Sequence, residues 1–470
     1  LLLNAFQTQN NAPILKVKRF SFNFAPPMDA SISYKRIWQI AYPIILGSVA
    51  QNLINFTDTA FLGRVGEVAL GAGALGGIFY LAVFMLALGF GMGEQIIVAR
   101  RFGEKKLKEI GVVVNHSLIF LLGMAIISFL LLRFGSITIL KYGVKSDEIY
   151  EASLVFLTYR SFGIFFAFVN VSFRSFYVGL GKTKVITYTT FVLAVVNILL
   201  DYLLIFGKGG FPKMGIAGAA LASTIAEATA MIYFIIYTHI YIHYKDYDLF
   251  RNWKLRWERM LRILKVAAPT MVQQFVSLSV WFVFFLLVEK IGKSALAVSN
   301  IIRSVYVLLM VPIWGFATAS NTLVSFLIGG GRTEEVMKLI YRIVALCFFA
   351  VVIIVSLGAA FPRLILEIYT NNPELIAMGI PVLRVVSVGA LLLSVGFILF
   401  SGVSGTGKTN VSLAIELIVL SLYLTYTYTL IEVWHVDVNV AWTAEWLYGF
   451  LMSLLSFIYL KTGKWKAHKI

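Results

Sequence analysis

The chain alternates long apolar runs with short polar breaks, and the runs are long enough to cross a bilayer as helices. Twelve can be drawn, at approximately 37–62, 69–93, 112–132, 150–172, 184–206, 215–240, 266–288, 297–327, 341–360, 379–401, 409–431 and 440–460. The eighth is long and contains Pro312, where a kink is expected. One run stands out: FVLAVVNILLDYLLIFG, residues 191–207, is apolar except for Asn197 and Asp201. Four residues apart, these share a helix face. A carboxylate in hydrocarbon costs about 2.5–3.5 kcal/mol on insertion scales, so it is rare unless it faces a cavity or a partner. Asp201 is therefore read as functional.

Other spans offer it company. QNLINFTDTAF in the first span carries Gln51, Asn55 and Asp58 on one face. Counted inward from the outer ends at about 1.5 Å per residue, Asp58, Asp201 and the Ser223–Thr224 pair fall in the same half of the membrane. Two carboxylates, an amide and a hydroxyl at one level form a candidate cation site. Hard oxygen ligands suit Na⁺, and two close carboxylates also suit a shared proton. Both ions remain open. Gln51, Asn55 and Glu227 are candidate relay groups, although Glu227 could instead pair with Arg174. Glu94 is expected to partner Arg100 and Arg101, and Arg160 and Arg384 to snorkel to the outer interface.

Sliding the chain by 226 residues superposes RIWQIAYP (36–43) on RILKVAAP (262–269), Gly66 on Gly292, Gly89 on Gly315, Gly103 on Gly329 and GKT (181–183) on GKT (407–409). Each half holds six spans, an even number, so both insert the same way. The expected fold is an all-α polytopic membrane protein: twelve transmembrane helices in two six-helix lobes related by a parallel pseudo-two-fold repeat. The expected divisions are an extension at 1–32, with Met28 as a candidate natural start, a first lobe at 33–240, a basic linker at 241–265, a second lobe at 266–460 and a basic tail at 461–470. Asp58, Asn197 and Asp201 correspond to Phe284, Tyr423 and Thr427, so ionisable chemistry is assigned to the first lobe. In the second, Met271, Trp281, Met310 and Trp314 offer thioether and aromatic surface for a flat lipophilic cation.

Composition agrees with a membrane protein, at 59% hydrophobic and 13% charged. The net charge of +17 is not a nucleic-acid signature, because 27 of the 40 Lys and Arg fall on one side of the proposed spans. By the positive-inside rule both termini are cytoplasmic. HYKDYDLFRNWKLRWERMLRILK (243–265) reads as an interfacial helix on anionic lipid. The single cysteine, Cys347, excludes a disulfide framework within one chain, and His239 and His243 lack a third ligand, so no metal centre is expected beyond a Na⁺ at Asp58, Asn197 and Asp201. GVSGTGKT (402–409) fits the P-loop pattern, but about 20 apolar residues precede it where a P-loop needs a strand, so it reads as a tight turn.

PIILGSVAQNLINFTDTAFLGRVGEVALGA, GFGMGEQIIVARRFGE, NILLDYLLIFGKGGFPKMGIAGAALAS and FSGVSGTGKT together resemble the multidrug and toxin extrusion (MATE) family. The resemblance implies Na⁺ or H⁺ influx driving export of organic cations and amphipathic drugs across a bacterial inner membrane, with no cofactor and no covalent chemistry. It maps the family's first-lobe cation site onto Asp58, Asn197, Asp201 and, conservatively, Ser223. NorM-like members carry acidic residues in spans 7 and 10, where this chain has Ser277 and Ser394, which tilts coupling to the first lobe as in the DinF-like branch. The transporter is read as a monomer. The rival reading is a lipid-linked oligosaccharide flippase of the same superfamily, which would line its cavity with Arg and Lys.

Overall fold

Gly66 and Gly292 hold φ of 147° and 146°, a backbone conformation that L side chains rarely adopt, and each ends one long helix and begins the next. They are counterparts in the 226-residue repeat, so the same break recurs in both halves. The computed structural model describes residues 32–251, 253–468 and 470, and those from Ile32 onward form one unit. The proposed extension and the Met28 start thus lie essentially outside the described residues.

Eleven helices are long and apolar enough to span a membrane, and a bent pair supplies a twelfth. In chain order they are α1 (Tyr34–Val65), α2 (Glu67–Gly103), α3 (Leu107–Gly143), α4 (Asp147–Arg160 with Gly163–Gly179), α5 (Lys184–Phe206), α6 (Ile216–Tyr241), α7 (Trp257–Ile291), α8 (Lys293–Gly329), α9 (Thr333–Ala360), α10 (Pro373–Gly405), α11 (Thr409–Val433) and α12 (Val438–Thr462). Helix α8 is assigned without a break through Pro312, whereas α4 bends by 52° between its two pieces.

The first six spans pack on one another chiefly as α1 on α5, α5 on α6, α2 on α4 and α4 on α6. The last six pack as α10 on α12, α8 and α9, and α11 on α7 and α12. Between the lobes, α1 meets α8 and α7 meets α2, the two contacts that the repeat exchanges, while α2 meets α8 near the pseudo-two-fold axis. Glycines permit this approach. A Cβ at Gly103 would overlap the carbonyl of Phe326, and one at Gly329 would overlap that of Arg100, again a repeat-related pair of clashes. In a lipid environment, close packing of this kind replaces the hydrophobic effect as the force that joins helices.

The two GKT segments are turns. Helix α4 ends at Gly179 and α5 begins at Lys184, α10 ends at Gly405 and α11 begins at Thr409, and Gly181 and Gly407 take positive φ. A helix precedes each, so the strand a P-loop requires is missing. The linker departs from expectation. Residues 243–251 and 253–256 do not form an interfacial helix, and the described basic stretch becomes helical at Trp257, where α7 starts. The cause is specific capture by α3: Phe250 N donates to Asn115 Oδ1 at 3.1 Å and Arg256 N to His116 Nε2 at 3.2 Å.

Candidate functional site

Helix α5 has a lipid side of Phe191, Val195, Leu199 and Tyr202, all exposed, and opposite it Ala194, Asn197, Asp201, Leu204 and Ile205 are buried. The polar pair therefore lies on the packed face. Helix α6 comes close because its first turns are small: Ala217, Gly218, Ala219, Ala220 and Ala222 are buried, and Gly218 sits directly against the Leu204 carbonyl. That approach brings Ser223 to Asn197, whose Nδ2 donates to Ser223 Oγ at 3.3 Å. Asp58, on α1, lies close enough to Asp201 for the two carboxyls to perturb one another.

Acceptor oxygens are in excess here. Asp58 Oδ1, both carboxyl oxygens of Asp201 and Asn197 Oδ1 are buried and receive no hydrogen bond. Ionised carboxylates only accept, so the two aspartates can bond each other only if one keeps a proton. Otherwise this oxygen set suits a small hard cation. Among the described residues no group of three or more His, Cys, Asp or Glu could hold a metal ion. The donor set is mixed, two carboxylates with neutral oxygens, a chemistry that suits Na⁺ or a proton.

Beside it lies an ion pair. Arg160 on α4 donates to both oxygens of Glu227 on α6, at 2.8 and 2.6 Å. Its guanidinium stacks 3.7 Å from the Tyr80 ring centre, and Tyr80 Oη also donates to Glu227 at 3.3 Å. Asn170 Nδ2 donates to the Glu227 carbonyl at 2.9 Å. Two expectations are corrected. Arg160 does not snorkel outward, and the partner of Glu227 is not Arg174, because the bend in α4 turns Arg160 into the lobe. Glu94 likewise does not pair with Arg100 or Arg101. It accepts from Ser172 Oγ at 2.8 Å and is fully buried, while Arg100 donates to the Thr406 carbonyl and Arg101 to Glu104.

The remaining residues scatter. Thr224 turns away from Asp201 and donates to the Tyr159 carbonyl at 3.1 Å. Gln51 and Asn55 are exposed on α1. Met310 is buried, whereas Met271 is partly exposed, with its backbone packed against Gly89 at the lobe crossing. Trp281 meets Phe285 edge to face and lies tilted against Tyr306, and Trp314 is 40% exposed.

The assignment of all ionisable chemistry to the first lobe is overturned. Glu416 on α11 and Glu445 on α12 are buried in the second, held by Ser277 and Tyr448 and by Tyr306 and Tyr423 respectively. Both are carboxylates inside apolar runs, the signal that singled out Asp201. The 226-residue correspondence does not reveal them, because their first-lobe counterparts, Thr190 and Ala219, are not acidic. Tyr80 was missed for a different reason: an aromatic in an apolar span carries no polar signal of its own.

A family profile described as MatE matches residues 43–203 and again 269–429, the second match starting and ending 226 residues after the first. The chain belongs to the MATE family. A probable multidrug resistance protein NorM of Thermotoga maritima is 24% identical over 453 residues, covering 95% of this chain and 96% of that protein. The corresponding NorM of Agrobacterium fabrum is 27% identical over 325 residues, covering 67% and 69%. Among solved structures, an outward-facing conformation of a multidrug resistance MATE family transporter superposes with a TM-score of 0.84 at 20% identity, covering 91% of this chain and 95% of that one. A transporter of the MOP superfamily from Pyrococcus furiosus does so at 0.83 and 20%. The MATE family consists of multi-pass membrane transporters rather than enzymes, and the twelve-span, two-lobe fold of this chain is that of its relatives.

Proposed function

We propose that this MATE protein is an antiporter that exports organic cations and amphipathic drugs across a bacterial cytoplasmic membrane, with both termini inside, driven by Na⁺ or H⁺. The observation that carries the reading is the excess of acceptor oxygens where Asp58, Asn197 and Asp201 meet. Such a set gains most from a cation or a proton and least from a neutral or anionic ligand. In the proposed cycle the coupling ion enters from outside, neutralises the aspartates and favours release of the exported compound. The lobes then pivot about the α2–α8 crossing and the ion leaves to the cytoplasm. A membrane potential contributes about 2.3 kcal/mol per charge per 100 mV, enough to sustain an outward drug gradient. The flippase reading is disfavoured because Arg160, the basic side chain turned into the first lobe, is already neutralised by Glu227.

The test is uptake of a fluorescent organic cation into everted vesicles under separately imposed Na⁺ and H⁺ gradients, comparing the parent with Asp201→Asn. Transport that follows one gradient and is lost in an expressed, membrane-inserted variant supports the reading. Equal transport by both proteins would sink it.

A further inference from the structure

We propose that the second lobe carries its own proton-exchange site, centred on Glu416 and Glu445. The proposal rests on the antiport reading above and adds to it a second place where protons bind.

The two carboxyls belong to one network. Ser277 Oγ on α7 and Tyr448 Oη on α12 both donate to Glu416 Oε1, at 2.6 and 2.9 Å. Tyr306 Oη on α8 donates to Glu445 Oε2 at 3.0 Å, and Tyr423 Oη on α11 donates to its Oε1 at 3.1 Å. The rings of Tyr423 and Tyr448 meet edge to face at 5.8 Å and so connect the two halves of the network. Phe284 and Trp442, both fully buried, close it off on one side.

Glu416 and Glu445 are 2% and 3% exposed, and neither forms an ion pair among the described residues. The nearby cations do not serve. Arg303 on α8 is exposed and lies over the Phe285 ring, and Arg384 on α10 is exposed as well. The first lobe solves the same problem with Arg160, but the residue 226 positions later is Val386. A carboxylate enclosed without a cation is strongly disfavoured, and a proton is the smallest group that neutralises it. Glu416 Oε2 is the atom for that proton, because it is buried and receives no hydrogen bond while Oε1 receives two. On deprotonation the O–H bond breaks, the proton passes to water, and the electron pair stays on a carboxylate already held by Ser277 and Tyr448. Pivoting of the lobes, which would hydrate the α7–α11–α12 face, times that step.

Infrared difference spectra of the purified full chain between acid and alkaline buffer read protonated carboxyls directly, without substrate or gradient. The expectation is that Glu416→Gln and Glu445→Gln each remove a part of the carboxyl band distinct from the part lost in Asp201→Asn, and that Glu416→Asp restores it. Tyr448→Phe and Ser277→Ala leave the carboxyl in place and shift its band, which guards against misfolding of the glutamine variants. Proton-driven uptake in Glu416→Gln is expected to fall about tenfold and to recover in Glu416→Asp. Spectra of Glu416→Gln and Glu445→Gln that superimpose on the parent, or a Tyr448→Phe band that does not move, overturn the proposal. If instead Asp201→Asn transports normally, the antiport reading fails, whatever the spectra show.

Discussion

Gln95 on α2 donates from Nε2 to Asn321 Oδ1 on α8 at 3.2 Å, and the two residues are 226 apart, so each is the other's counterpart in the repeat. The pseudo-two-fold axis runs between them. The same Nε2 also donates to Thr322 Oγ1 at 2.9 Å, and Ser325 Oγ donates to the Ile96 carbonyl at 2.7 Å. These bonds and the Gly103 and Gly329 approaches bind the lobes at one end of α2 and α8, the end proposed to face the cytoplasm.

Gly103→Val and Gly329→Val are expected to destabilise the chain to a similar degree, each by about 1–3 kcal/mol, because each drives a side chain into the opposite backbone. Thermal loss of the monodisperse peak in size-exclusion chromatography checks this. Damage confined to one of the two would mean that the crossing is not symmetric.

Breaking the Arg160–Glu227 pair leaves a charge buried without a partner, which costs about 3–5 kcal/mol. Arg160→Ala is therefore expected to lower the melting temperature sharply, and Arg160→Met combined with Glu227→Leu to recover most of it. The comparison is made by a thermal-shift assay. A double variant as unstable as the single one would show that Tyr80 or Asn170, not the charge, is what suffers.

Asp58→Asn and Asp201→Asn are each expected to reduce ion-driven uptake about tenfold or more, and the double variant to be little worse than either, since residues acting as a unit are not additive. Ser223→Ala, which removes only the hydroxyl that accepts from Asn197, is expected to have the smaller effect. Initial rates in everted vesicles report all four.

Near the C-terminus, burial holds the His468 imidazole below its usual value of 6.5, and the neighbouring Lys408 and Arg100 act in the same direction. A depressed value favours the neutral ring in the folded protein, so the tail's packing is fully supported above about pH 6.5 and is lost as the pH falls through the folded-state value. The 463–468 segment is expected to become more sensitive to protease in mild acid, and His468→Gln to abolish that dependence. Proteolysis that ignores pH in the parent would remove histidine from the account.

Membrane class, span number, lobe symmetry and the shared packed face of Asn197 and Asp201 are legible in the chain itself, because each follows from a local rule. Apolar length sets a span, four-residue spacing sets a helix face, and a constant offset of 226 reveals duplication. The partner of each intramembrane charge was not legible. Arg160 reaches Glu227 only because α4 bends by 52° between its two pieces, and no periodicity encodes that angle. Glu416 and Glu445 show the right chemistry in the sequence, yet their Ser277 and Tyr donors come from α7, α8, α11 and α12, helices whose rotation about their axes is set by packing. The linker illustrates the same limit: its basic composition suited a lipid-facing helix, but Asn115 and His116 on α3 offered its backbone specific partners. Sequence determines what each helix can present. Tertiary packing decides what it meets, because contacts between distant segments depend on relative orientations that no local rule specifies.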